Sequence, residues 1–463
     1  MELKGKRVTV IGLGNSGANA ALLAKEKGAS VFATDAGSTP ALKKTKLELE
    51  AKGIEVEIGK HTEAFVKGSD LVVVSPGVED SSPAMKWAVK AGIPVIGEME
   101  LGYRFCKGKI IAITGTNGKS TVTTLIGEIL RAGGMKTVVC GNIGNSLCGE
   151  VSKIKEDTWV VLEASSAQLE RIQDFRPHIA LILNITDDHM DRYRDFYEYF
   201  NYKLKVFANQ TKDDILILNY DAENLRRLKG LARSKVMFYG KNKSATSGYA
   251  VSAYVNDEWV CCNYGQGEKE IIPVESIKLK GVHNLENVLA CSLVAMIAGV
   301  RESAVREAVK SFSGLEHRFE TVDKLEGVEY INDSKGTTVD SAKRALESCD
   351  RPVVLIAGGK DKRSDYSLVR DAVKCKAKHV VLIGEAAGAI KKALKDIVET
   401  HDAKDMAEAV EMGHRLAKDG WIVLLSPMCS SFDMFKNYEE RGGAFKEAVR
   451  KLKNSLARVK AQE

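Results

Sequence analysis

Apolar residues in this chain cluster in short β-branched runs. Each run closes on Gly, Ser, Asp or Asn and is followed by a stretch with helical periodicity. RVTVIGLG leads through a small-residue helix to SVFATD, and DLVVVSPG leads through another helix to IPVIG. Such continuous apolar strands alternating with helices predict a parallel sheet covered on both faces. A second series starts at IIAITGTNGKST and continues with TWVVLEASS, IALILNI and DILILN. A less regular, tyrosine-bearing part follows from about Val236 to Pro273, and then the helix HNLENVLACSLVAMIAGV. A third series begins near Gly314 with the strands RPVVLIAGG, HVVLIG and WIVLLSP. The expected fold class is α/β in three domains. These are a Rossmann-like N-terminal domain over 1–97, a P-loop-type central domain over 98–314 and a Rossmann-like C-terminal domain over 315–463, with short linkers near Gly97–Gly102 and Ser313–Arg318.

Length agrees, since 463 residues suggest about three domains. A hydrophobic share of 44% with 28% charged residues is that of a globular protein with an ample core. The net charge of +6 is spread without a basic tract, which argues against nucleic acid and leaves polyanionic small molecules as the better ligands. Nine cysteines without a C-x-x-C pair fit neither a disulfide framework nor a zinc cluster and read as core residues in a reducing compartment. The chain opens directly into a strand, and no apolar run reaches membrane-spanning length, so a cytoplasmic protein without stable membrane association is expected.

The chemistry concentrates where strands end. Gly115-Thr116-Asn117-Gly118-Lys119-Ser120-Thr121 lies between a strand and a helix. Glycines there let backbone N–H groups face phosphate oxygens, the helix start adds positive potential, the lysine neutralises β/γ oxygens and a hydroxyl reaches Mg²⁺. The usual G-x-x-x-x-G-K-[ST] pattern is shortened, with Ile113 where its first glycine would stand. Glu163, ending TWVVLEASS, stands where a carboxylate could hold Mg²⁺, although Ser165 and Ser166 also make an N-cap segment there. Asn142 follows the strand TVVC, and Asn184-Ile-Thr-Asp-Asp-His189-Met-Asp191-Arg192 follows IALILNI at the same edge. In the first domain Gly12-Leu-Gly14-Asn15-Ser16-Gly17, with Asp35 ending the next strand, is a dinucleotide-type fingerprint. Ser75-Pro76-Gly77 faces the same edge. That pattern leaves NAD and other diphosphates, such as a UDP-sugar, equally open.

Six segments in order, G115-T-N-G-K-S-T121, G141-N-I-G144, E163-A-S-S-A-Q-L169, N184-I-T-D-D-H-M-D-R-Y193, H283-N-x-x-N287 and N332-D-S-K335, resemble the motif series of the Mur ligases across essentially the whole chain. The likeness is greatest to the members that add D-glutamate. It implies an ATP-dependent amide ligase joining D-glutamate to UDP-MurNAc-L-alanine through an acyl phosphate, in peptidoglycan precursor synthesis, and acting as a monomer. It implies that Lys119 and the loop hold the ATP phosphates. Ser120 and Glu163 would ligate one Mg²⁺ and His189 a second, with a CO₂-derived carbamate on Lys203 as a further ligand and Lys205 as the neighbouring alternative. Asn284 and Asn287 would meet the adenine, while His317, Arg318 and Asp333 would reach the nucleotide. Lys335 would approach the γ-phosphate or acyl phosphate as the third domain closes. Gly14, Asn15, Ser16, Asp35, Ser75, Gly77 and Asn142 would hold the UDP substrate. Thr337, Lys362, Ser431, Phe432 and Tyr438 would hold D-glutamate, with Lys360 as the alternative to Lys362. No residue stands out as the base for the incoming amine. Another Mur ligase or a folylpolyglutamate-synthetase-like ligase is the nearer alternative. An NAD-dependent dehydrogenase would leave the phosphate loop unexplained, and a non-enzymatic ATP-binding switch would not need an amino-acid clamp.

Overall fold

Valine and isoleucine fit a pleated surface buried on both faces, and each short apolar run forms a strand. A computed structural model of the chain describes all residues except His189, Asp191, 244–250, 265–266, Lys280, Arg363 and 461–463. The chain forms two compact units: Met1–Ile185, Tyr197–Val274 and Asn287–Lys310 make the first, and Thr186–Phe196, Glu275–Glu286 and Ser311–Glu463 the second.

The first unit holds two sheets. One contains β1 (Arg7–Ile11), β2 (Ser30–Asp35), β3 (Glu55–Ile58), β4 (Leu71–Val74) and β5 (Val95–Gly97), all parallel, in the order β3-β2-β1-β4-β5. The other contains β6 (Lys109–Thr114), β7 (Thr137–Gly141), β8 (Trp159–Glu163), β9 (Ile179–Ile182), β10 (Ile215–Asn219), β11 (Lys235–Asn242), β12 (Val251–Asn256), β13 (Trp259–Asn263) and β14 (Glu268–Pro273). Their order is β14-β13-β12-β11-β10-β9-β6-β8-β7, so β6 lies between β9 and β8 with both neighbours parallel to it. The irregular stretch after Val236 extends this sheet, ending in the antiparallel strands β12, β13 and β14.

The segment near Gly97–Gly102, expected as a linker, is instead the start of a buried helix, Glu98–Phe105. Its Glu100 carboxylate accepts backbone N–H bonds from Gln173 (2.9 Å), Asp174 (3.0 Å) and Phe175 (3.0 Å), and one from Arg104 Nε (2.8 Å). Asn19 Nδ2, on the helix after β1, donates to Asn145 Oδ1 at 2.6 Å. Two sheets joined by buried polar contacts of this kind pack as one body.

The second unit carries β15 (Glu320–Leu325), β16 (Val328–Asn332), β17 (Val353–Gly358), β18 (Ala377–Ile383), β19 (Glu399–Asp402) and β20 (Ile422–Leu425), in the order β15-β16-β20-β17-β18-β19. Only β15 runs antiparallel to its neighbour. Alternation along the strands sorts side chains into two cores. Val353, Leu355, Ala357, Val380 and Leu382 pack on one face. Val354, Ile356, Val381, Ile383 and Val423 pack on the other.

Candidate active site

The phosphate-loop sequence forms a preset turn at the carboxyl end of β6, before the helix Lys119–Ala132. Gly118 has φ +86°, and a Cβ there would lie 2.8 Å from Asn287 Oδ1, so only glycine fits the turn. Asn184 pins the loop by matching its backbone. Its side-chain Oδ1 accepts from Asn117 N–H (2.8 Å), its Nδ2 donates to the Asn117 carbonyl (3.1 Å), and its own carbonyl accepts from Thr116 N–H (2.9 Å). Ser120 and Thr121 are buried in the first helical turn. The Lys119 ammonium folds onto the loop, donating at 2.8 Å to the carbonyls of both Gly115 and Thr116.

Lys203 reaches the same loop from the helix Phe196–Leu204. It is 2% exposed, its Nζ donates to the Gly115 carbonyl at 2.8 Å, and it lies 4.6 Å from the centroid of the Tyr199 ring one turn earlier. The Tyr199 hydroxyl is itself 3.1 Å from Thr116 Oγ1. Lys205 turns elsewhere, donating to the Glu170 carbonyl at 2.6 Å, with burial lowering its pKa.

Glu163 ends β8 opposite Ile113 of β6 and is buried. One carboxylate oxygen accepts from Asn142 Nδ2 at 2.8 Å, and the backbone N–H of Asn142 donates to the Glu163 carbonyl at 2.9 Å. The other oxygen, Oε2, is buried with no hydrogen-bond partner among the described residues. An orphaned carboxylate oxygen is the donor a hard cation such as Mg²⁺ takes, so this residue fits a metal ligand. Asn142, expected at the UDP substrate, here orients that carboxylate. His189 and Asp191 lie outside the described residues.

In the first sheet the fingerprint glycines close a tight strand-to-helix turn. A Cβ on Gly17 would meet the Gly12 carbonyl oxygen at 1.8 Å. Asp35 accepts from Leu13 N–H and Gly37 N–H, both at 2.7 Å, and so holds two loops together. Gly14, Asn15 and Gly77 are exposed and Ser16 and Ser75 half-buried at the carboxyl ends of these strands, where parallel sheets take ligands.

In the second unit, loops leave the carboxyl ends of the three adjacent strands β16, β20 and β17. They frame a cavity of about 1110 Å³ lined by Lys335, Thr337, Lys362, Ser431, Phe432 and Tyr438 among others. The five residues expected to hold an amino acid thus meet in one space, with Lys335 beside them. Lys335 Nζ lies 3.6 Å from the Tyr438 ring centroid. Lys362 is largely buried and faces Asp188 at 3.7 Å, whereas Lys360, also on the cavity wall, is half-exposed in an ion pair with Glu385 at 2.6 Å. Asp333 accepts from Ser426 Oγ (2.8 Å) and Phe319 N–H (3.3 Å), and burial pushes its carboxyl up to about 7. His317 is buried at φ +63°, with Nδ1 2.9 Å from Asn332 Nδ2, while the adjoining Arg318 is half-buried. Asn284 is buried in the first turn of the helix Val282–Ala298. Beside it, the His283 ring is 3.0 Å from Ser348 Oγ, and burial lowers its pKa to about 4.

One organising residue escaped the sequence reading. Arg441 is 1% exposed, on the helix Tyr438–Lys460. Its guanidinium donates to Ser334 Oγ (3.0 Å) and the carbonyls of Ser334 (2.8 Å), Cys429 (3.1 Å) and Ser430 (3.1 Å). One planar fork therefore ties the loop after β16 to the loop after β20.

A strand–Gly-x-x-Gly-Lys-Ser–helix loop on a parallel sheet, with a carboxylate at the end of the adjacent strand, is the arrangement in which α/β proteins hold phosphate groups. Three domain descriptions match it in order: Mur ligase MurD-like, N-terminal domain, over residues 6–97; Mur ligase middle domain over 113–295; and Mur ligase, glutamate ligase domain, over 317–429. The UDP-N-acetylmuramoylalanine–D-glutamate ligase of Koribacter versatilis is 44% identical over 98% of this chain and 99% of its own. The enzyme of that name from Caldanaerobacter subterraneus is 43% identical over 98% and 100%. Among solved structures, a UDP-N-acetylmuramate–alanine ligase from Thermotoga maritima aligns with TM-score 0.60 at 18% identity, covering 97% of this chain and 100% of that one. MurF from Acinetobacter baumannii aligns with TM-score 0.61 at 16% identity, covering 95% and 93%. These two alignments show a shared three-domain fold. The chain belongs to the Mur ligase family.

Proposed function

We propose that this chain is an ATP-dependent ligase joining the amine of D-glutamate to the carboxylate of UDP-MurNAc-L-alanine, in cytoplasmic peptidoglycan precursor synthesis. Full-length likeness to enzymes named for that reaction supports it. The observation that carries it is the cavity where Lys362, Thr337 and Ser431 converge, since a cation with hydroxyl donors suits an amino acid's carboxylates.

A carboxylate oxygen of the UDP substrate attacks the γ-phosphorus of ATP, ADP leaves, and an acyl phosphate forms. Lys119, released from the Gly115 and Thr116 carbonyls, turns to the phosphate, and the loop's N–H groups face the spreading charge. Lys335 is the further cation we propose to neutralise the transferred group. Mg²⁺, when bound, supplies charge neutralisation at the phosphate oxygens. Glu163, held by Asn142, is the residue to ligate it, together with Ser120. His189 and a carbamate on Lys203 are the further ligands we propose. The place of Lys203, buried with its Nζ against the Gly115 carbonyl of the phosphate loop, supports that residue over Lys205, whose Nζ is turned to the Glu170 carbonyl instead. Asn284, Asn287, His317, Arg318 and Asp333 are proposed to contact the nucleotide. The first sheet's loops are proposed to hold the UDP moiety. The neutral amine of D-glutamate then attacks the acyl carbon, and phosphate departs with the former carboxylate oxygen.

The test is phosphate release from ATP and Mg²⁺ with UDP-MurNAc-L-alanine. We expect release to depend on D-glutamate. Release indifferent to it, or supported equally by L-lysine or meso-diaminopimelate, would overturn the proposal.

A further inference from the structure

Away from the cavity, β18 and β19 bring two histidines and a glutamate together. In the parallel register His379 lies opposite Glu399, and Val381 opposite His401, so all three side chains share one face of the sheet. β19 is the edge strand. His401 Nε2 is 3.3 Å from His379 Nδ1, Glu399 Oε2 is 3.5 Å from His379 Nδ1, and Glu399 Oε1 is 3.7 Å from His401 Nε2. Ligand atoms held about 2.0–2.2 Å from one ion in tetrahedral geometry stand about 3.3–3.6 Å apart. The cluster already has nearly that spacing. Trp421 stacks on His379 with centroids 6.4 Å apart, which fixes the ring. Both histidines are about four-fifths buried, with side-chain exposure of 22% each, while Glu399 remains open to solvent at 68%. His379 and Glu399 sit toward the amino ends of their strands, whereas the loops around the cavity leave the carboxyl ends.

We propose that His379, Glu399 and His401 form a site for a divalent ion of the zinc class, completed by water and fastening the edge strand β19 to β18. Two imidazoles and a carboxylate are donors that select zinc or cobalt over magnesium, which favours oxygen. Ligands carried on paired strands also need little rearrangement to bind.

The test uses the full chain, freed of metal with EDTA and kept in excess Mg²⁺ without nucleotide, so that the phosphate-loop site does not report. Titration with Co²⁺ should give the intense visible absorption of low-symmetry four-coordinate cobalt, saturating at one equivalent and displaced by Zn²⁺. His401→Ala should weaken binding by more than about tenfold, which is the lower end of losses from even an outer partner of a metal ligand. Glu399→Gln should also weaken binding, and it alters an exposed side chain that the fold does not need. His414→Ala, which removes an imidazole bonded instead to Tyr330, should bind like the parent. The proposal is overturned if no saturable cobalt spectrum appears, or if His401→Ala and Glu399→Gln bind as tightly as the parent.

Discussion

The phosphate loop of the first unit and the cavity of the second are built in different ways. The loop is one contiguous segment whose shape comes from its glycines and from Asn184, and its lysine rests on the loop's own carbonyls. The cavity is assembled from three segments that meet at strand ends and are tied by Arg441. A contiguous site can be read directly from spacing. An assembled one needs the order of the strands first.

If that contrast is right, substitutions should separate rate from affinity. Lys119→Ala should cost the most, about 10³-fold in kcat, because the lost charge acts on the phosphoryl group in the transition state. The KM for D-glutamate should stay near the parent value, and steady-state kinetics checks both. Lys203→Ala should lower kcat by about 10²-fold, with activity partly restored by short carboxylic acids, while Lys205→Ala should remain near the parent. Full activity in Lys203→Ala would remove the carbamate from the account. In the cavity, Lys362→Ala should raise the KM for D-glutamate about 10- to 100-fold, the worth of a hydrogen bond to a charged group. Lys360→Ala should change it by about twofold or less, because Lys360 sits in solvent against Glu385. If the two lysines behaved in reverse, the wall of the cavity would be assigned to the wrong residue.

The strands and the phosphate loop were legible because they rest on local features: β-branched runs, a glycine turn and a helix start. The meeting of Thr337, Lys362, Ser431, Phe432 and Tyr438 was expected from resemblance, and no spacing in the chain implies it. Arg441 was not legible, since a lone arginine in a charged helix reads as a solvated residue until the loops it ties are in place. Glu98 and Glu100 likewise look like surface acids beside Gly97. In the fold Glu100 organises a turn, and burial pushes Glu98 up to about 7 beside Gln168. The His379–His401 cluster depends on the register of two strands separated by a helix, which periodicity alone does not set.

The central claim is that ATP activates the substrate's carboxylate at the phosphate loop before the amine arrives. UDP-MurNAc-L-alanine carrying oxygen-18 in that carboxylate, turned over with ATP and D-glutamate, tests it directly by mass analysis of the released phosphate. The account predicts one carboxylate-derived oxygen in each phosphate, because the bond to the acyl carbon breaks only when the amine attacks. Phosphate released with no label, alongside normal amide product, would contradict it.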